Sequence, residues 1–292
     1  MVNHSLNSSP TPTLIFLHIP KTAGTTLHQI IDRHYPLDHI YWVHATQVAE
    51  SITAFKNFPE EKRQQFQLIK GHMGFGLHQY VSQPCTYFTL LRDPVKRIIS
   101  HYYHVLRTPN HYLHQIVTEK QMDLKTFVSS GISLELDNGQ TRLIAATNGD
   151  EDERIEFGCA TTDLLETAKQ HLLNHFSVVG TMEEFDKTLL LLQKKLGWKN
   201  IYYARKNTGK NKTTKKSEIS ADTLAAIQQQ NALDIELYEF TQQLLNQQVK
   251  DIGGSFEQEL DTFKTINQSY GGLHGLAWST INKARRAVAA IR

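Results

Sequence analysis

An α/β domain built on a mostly parallel central sheet with helices on both faces is the fold the sequence predicts, and three observations predict it. Short apolar runs without polar alternation recur along the chain, as strands buried on both faces require. Each run ends at a loop rich in Gly, Thr or Pro, and apolar residues at helical spacing follow. The order strand, loop, helix repeats, which is the pattern of a parallel sheet with helical crossovers. In such sheets ligands sit outside the carboxyl ends of the strands.

The first run, from Leu14 to Ile19, ends at Pro20; the loop Lys21, Thr22, Ala23, Gly24, Thr25, Thr26 leads into a helix marked by Leu27, Ile30 and Ile31. A second strand covers 67–70, and the glycine-rich stretch 71–76 cannot continue it, which leaves His72 in a loop. The third covers 86–91 and closes on Arg92, Asp93 and Pro94, with Pro94 at a first helical position before Ile98, Ile99 and Tyr102. The fourth covers 176–180 and precedes a helix through Phe185, Leu189, Leu192 and Leu196 that Gly197 stops. A basic loop over 205–216, one or two helices over 223–245, and a basic amphipathic helix over 281–292 complete the chain. The predicted organisation is a polar lead-in over 1–12, a single domain over 13–250 and a helical extension over 251–292. The terminal helix is read as docked on its own domain, with weak contact to an anionic membrane as the second reading.

Lys and Arg number 31 against 29 Asp and Glu, a formal charge of +2, so no basic excess points to nucleic acid. Hydrophobic residues make up 40% and charged residues 21%, near the globular average, which excludes a wholly disordered, collagen-like or membrane-embedded chain. Two cysteines, Cys85 and Cys159, support neither a disulfide framework nor a Cys-rich zinc pattern and fit a reducing compartment. The N-terminal stretch lacks an apolar signal core, and no run approaches the ~18 apolar residues of a membrane span, so a cytoplasmic location is expected.

A strand-to-helix loop with Gly and Thr offers backbone N–H groups, hydroxyls and the positive helix end to an anion, and Lys21 adds a full charge. Lys21 precedes the glycine, so the loop is not the phosphate loop of nucleotide triphosphatases. An ordinary turn with an exposed lysine is the competing reading. Arg92 and Ser100 face the same mouth and suit a second anionic group; an ordinary cap or ion pair among Arg92, Asp93 and Arg97 competes with that. His72 is a candidate general base because an imidazole titrates near neutral pH, although a chain with 15 histidines holds mostly bland ones.

The sequence from His18 to Thr26 together with that from Leu91 to Ser100 resembles the family-2 sulfotransferases, which include the carbohydrate 2-O-sulfotransferases. Asp137 to Arg142, Val179 to Phe185 and Asn231 to Tyr238 match further family motifs in order, so that the resemblance spans residues 13–245. It implies a P-loop-like sulfotransferase domain and sulfuryl transfer from 3′-phosphoadenosine 5′-phosphosulfate (PAPS) to a hydroxyl of a sugar-containing acceptor, with no metal and no nucleic-acid partner. By the same resemblance Lys21, Thr22, Gly24, Thr25 and Thr26 hold the 5′-phosphosulfate, and Arg92 and Ser100 hold the 3′-phosphate. Lys21 stabilises the leaving phosphate and His72 takes the acceptor proton. The basic loop places Arg205, Lys206 and Lys210 over the nucleotide, and 138–142 line the acceptor cleft. Lys70 stands where relatives have the first histidine of a His-Gly-His loop, which implies a different acceptor. A P-loop-type kinase or ATPase and a non-catalytic nucleotide-binding module are the alternatives.

Overall fold

The computed structural model describes residues 12–149, 155–204 and 219–269. Arg205, Lys206 and Lys210, like the 281–292 helix, lie outside the described residues. The strands are β1 (Thr13–Leu17), β2 (Ile40–Val43), β3 (Leu68–Gly71), β4 (Cys85–Leu91) and β5 (Phe176–Thr181). The helices are α1 (Gly24–Ile31), α2 (Val48–Asn57), α3 (Glu60–Arg63), α4 (Pro94–Arg107), α5 (His114–Glu119), α6 (Leu124–Ser129), α7 (Gly139–Ala145), α8 (Thr162–His175), α9 (Phe185–Leu196), α10 (Ala221–Gln230) and α11 (Ala232–Ile252).

All five strands pair in parallel, in the order β2-β3-β1-β4-β5. Successive β1 side chains enter opposite layers, as the strand period dictates. Ile15 and Leu17 pack with Ile52 and Phe55 of α2, Ile144 of α7, Leu165 of α8 and Leu237 of α11. Leu14 and Phe16 pack with Leu27 and Ile30 of α1 and Leu189 of α9. Residues 256–269 are helical, and Phe256, Leu260 and Phe263 enter this second layer. A satellite cluster joins α4, α5, α6 and α10 through Ile98, Val117, Phe127 and Ile227.

The expected four strands are present, and α9 stops at Gly197 in the left-handed conformation. The edge strand β2 was not expected. Its four residues are mostly half-buried and show neither a long apolar run nor alternation; pairing with β3 makes it a strand. Register places Leu17, Gly71 and Val43 side by side. The chain therefore leaves β1, β2 and β3 at one level, and the loops beginning at His18, His44 and His72 open at a common edge.

Candidate active site

The 18–26 loop is shaped by two residues in the left-handed region, Lys21 (φ 72°) and Ala23 (φ 68°), which curl the backbone ahead of α1. The N–H groups of Thr22, Ala23, Gly24 and Thr25 have no acceptor among the described residues, and no side chain caps α1. Such a run of open donors at a helix start is an arrangement that can accept an anion. Gly24 is obligatory: a Cβ there would lie 1.8 Å from Nε2 of His18. Thr22 is buried and donates its hydroxyl hydrogen to the Ile19 carbonyl at 2.8 Å, so its side chain braces the turn and only its N–H is left for a ligand. Thr25 is exposed and Thr26 half-buried.

Two arginines fasten this loop to the β4–α4 corner. Arg92 donates from Nη1 to the Lys21 carbonyl at 3.0 Å, and its Nε is buried without a partner. Arg97, fully buried, donates to the Pro20 carbonyl at 3.2 Å and to the Glu135 carbonyl at 3.0 Å. Asp93 caps α4 by accepting from the Lys96 N–H at 2.8 Å, so the cap and the Arg92 tether coexist. Ser100 is half-buried on α4, one turn beyond Arg97, and makes no direct bond to Arg92. Burial, Arg92, Arg107 and Arg97 lower the Lys21 ammonium to about 8, with Glu135 opposing them.

On the other side of β1, His72 follows Gly71, whose φ of 144° and whose contact with β2 exclude a side chain: a Cβ would sit 2.1 Å from the Val43 carbonyl oxygen. His72 stands edge-on to His18, ring centres 4.5 Å apart, and His18 Nδ1 lies 3.1 Å from His28 Nε2. His28 stacks on Trp42 at 5.2 Å. His18, Thr25, His28, Trp42, His44 and His72 line a cavity of about 330 Å³ with Ala45 and Thr46. Burial lowers the His72 imidazole below its ordinary value; Glu135 raises it and Lys21 lowers it further.

Lys70 does not reach this cavity. It is wholly buried, paired with Asp32, and its ammonium lies over the Trp42 ring at 4.4 Å. It thus acts on the cavity from behind, through the ring that forms its wall. Sequence reasoning missed Trp42, His44, His18 and His28. The aromatic run 40–43 was the available signal for Trp42 and His44, whereas nothing in the chain places His28 opposite them.

The 137–142 motif turns inward. Asp137, Asn138, Gln140, Thr141 and Arg142 are buried, so the expectation that 138–142 line the acceptor cleft is corrected. Asp234 accepts from the N–H groups of Gln140 and Thr141 at 3.2 and 2.7 Å and so caps α7; Asn138 returns the favour at the start of α11, accepting from Leu233 and Asp234 at 2.9 and 3.1 Å. Arg142 pairs with Asp137, and the Gln140 amide bonds both backbone groups of Arg92 at 2.9 Å. Of this segment, the Gln140 side chain holds the Arg92 backbone from behind.

The chain can present oxyanion donors on one side of β1 and an imidazole beside a cavity on the other, with Thr25 and His18 common to both. Among the described residues no group of His, Cys, Asp and Glu is arranged to hold a metal, and no helix is long and apolar enough to cross a membrane. The family model described as galactose-3-O-sulfotransferase matches residues 2–270. The chain is 27% identical over 260 residues to heparan sulfate 2-O-sulfotransferase 1 of Gallus gallus, covering 81% of this chain and 71% of that one. It is 26% identical over 263 residues to heparan sulfate 2-O-sulfotransferase 1 of Homo sapiens, with the same coverage. The heparin sulfate O-sulfotransferase of Drosophila melanogaster is 25% identical over 248 residues, 78% of this chain and 70% of that one.

Proposed function

The chain belongs to the galactose-3-O-sulfotransferase family, and from that premise we propose that it transfers a sulfuryl group from PAPS to a hydroxyl of a carbohydrate acceptor. One observation carries the assignment of the two substrates. The loop of acceptorless N–H groups and the cavity beside His72 share Thr25 and His18, so a donor held by the first presents its sulfuryl group to the second. The heparan sulfate acceptors in the names of the relatives support a sugar-containing acceptor here.

The residues fit the nucleotide. The N–H groups of 22–25 and Lys21 suit the 5′-phosphosulfate, and the orphaned Arg92 Nε, with Ser100 on α4, suits the 3′-phosphate. When bound, PAPS supplies an activated sulfuryl group on a good leaving group. Lys21 then neutralises the charge that grows on the departing phosphate oxygen, an interaction stronger in the transition state than before it. His72 accepts the proton of the attacking hydroxyl as the new S–O bond forms and the old one breaks. Trp42 and the histidines wall the cavity with aromatic edges and ring nitrogens that can orient the hydroxyls of a sugar ring.

Calorimetric titration with adenosine 3′,5′-bisphosphate beside 5′-AMP and ATP, without magnesium, tests this. Tight binding that depends on the 3′-phosphate is expected. No binding, or preference for ATP, overturns the donor assignment.

A further inference from the structure

Both hydrogen bonds of the wholly buried Arg97 guanidinium go to backbone carbonyls: Nε donates to Pro20 at 3.2 Å and Nη1 to Glu135 at 3.0 Å. Nη2 faces Gly139, where an added Cβ would lie 3.1 Å from it. The two carbonyls come from segments far apart in the chain, and the second is on a turn pinned from several sides. Within Leu134–Leu136 the Ser133 hydroxyl oxygen accepts the Glu135 N–H at 3.2 Å, and Asn231 donates to the Leu136 carbonyl at 3.1 Å. Tyr112 donates its hydroxyl to Oε1 of Glu135 at 3.2 Å, and Oε2 lies 3.3 Å from Nδ1 of His101. Arg97 therefore ties the residue before Lys21 to a fixed point of the fold.

We propose that Arg97 is a positioning residue for the sulfuryl donor: by gripping the Pro20 carbonyl it sets the left-handed conformation of Lys21, and so aims Lys21 and the Thr22 N–H at the 5′-phosphosulfate. The inference rests on the donor assignment proposed above.

A trans peptide group is planar, so a carbonyl held on one side points the N–H of the same group to the other. Arg97 holds the carbonyl of the peptide before Lys21, and Arg92 holds that of the peptide after it at 3.0 Å. Between two peptide planes the backbone turns only about φ and ψ of the residue they share. Gripping both carbonyls therefore fixes the angles of Lys21, the exit of its side chain and the direction of the Thr22 N–H. Lys21 needs such a grip, because its φ of 72° lies in the region that a residue with a Cβ disfavours and only glycine enters freely. The Thr22 hydroxyl closes the turn on the Ile19 carbonyl, which leaves the plane between Pro20 and Lys21 to Arg97. Pro20 has no N–H, so its carbonyl is its one backbone handle. The two arginines also differ at the nucleotide. Arg92 keeps its Nε for the 3′-phosphate, whereas Arg97 spends its bonds on the protein. Losing Arg97 is therefore felt at the 5′ end of the donor. A lysine does not replace it, since one ammonium on a flexible stem lacks the rigid fork that spans both carbonyls.

The test compares wild type and Arg97→Lys by calorimetric titration with adenosine 3′,5′-bisphosphate and with adenosine 3′-phosphate, which needs no acceptor. The ratio of the two Kd values measures what the 5′-phosphate contributes. Arg97→Lys is expected to cut that ratio by roughly tenfold or more, while adenosine 3′-phosphate binds within about twofold of the wild type. A merely structural role would weaken both ligands alike. Should Arg97→Lys fail to fold, Gly139→Ala takes its place: its Cβ presses on Nη2 and Nη1 from 3.1 and 3.2 Å and shifts the guanidinium without removing it, so a smaller loss of the same ratio is expected. An unchanged ratio in the folded variant, or an equal loss for both ligands, overturns the inference. A wild type that binds neither ligand, or gains nothing from the 5′-phosphate, overturns the donor assignment itself and the inference with it.

Discussion

The loop over 18–26 and the segment over 137–142 are both polar family motifs, and they put their polar groups to opposite uses. In the first, four consecutive N–H groups lack acceptors among the described residues, and Lys21 is half-buried beside them. In the second, Asp137, Asn138, Gln140, Thr141 and Arg142 are buried and satisfied by one another, by Asp234 and by Arg92. Buried polar groups without partners cost free energy, so a fold that leaves donors open does so only where a ligand or water completes them. A family motif can therefore mark either a site or the frame behind it, and hydrogen-bond satisfaction tells the two apart.

The sharpest way to break this comparison is Arg142→Ala, which leaves Asp137 as an unpaired buried charge. A cost of about 3–5 kcal/mol is expected, lowering Tm by roughly 10 °C, while adenosine 3′,5′-bisphosphate still binds the folded protein; thermal denaturation with calorimetry checks both. Lys21→Ala should do the reverse, reducing turnover by on the order of 10²–10³-fold with Tm unchanged, as steady-state kinetics would register. Arg92→Ala should weaken donor affinity by about ten- to a hundredfold, read by the same titration. It also removes the tether to the Lys21 carbonyl, so some turnover should go with it.

The smallest effect near neutral pH concerns the buried histidines. Burial lowers His34 and His101 to about 4 and holds His18 well below 6.5. Between about 4 and 6.5 the unfolded chain binds protons that the folded one refuses, so stability is complete above that window and declines as pH falls through it. Tm should be level from pH 8 to 7, slip between 7 and 6, and fall more steeply toward 4. A level Tm over the whole range would show that these rings are charged when folded.

Four of the five strands and the helix ends at Pro94 and Gly197 were legible because continuous apolar runs and backbone-restricted residues act locally. Lys21, His72 and Arg92 were legible as candidates because each follows a readable strand. β2 was not, since four residues, three of them half-buried, become a strand only against β3. That the Thr22 hydroxyl closes the turn, leaving its N–H as the group open to a ligand, was not legible either. The role of 138–142 was misjudged, because polar side chains look alike in sequence whether they meet a ligand or each other. Glu135 and His28 gave no signal at all.

The sequence alone therefore determined the alternation of strands and helices, the polar Gly- and Thr-containing loop after β1 and the family, all of which follow from residues adjacent in the chain. Tertiary structure alone decided the strand order and the inward turn of Lys70. It also decided the cavity wall of His28, Trp42 and His44 and the placing of Glu135 among His101, Arg97 and Tyr112. Those depend on side chains brought together from α1, β2, α4 and the 134–136 turn by burial of two apolar layers, and burial sets which elements meet without leaving a local pattern to read.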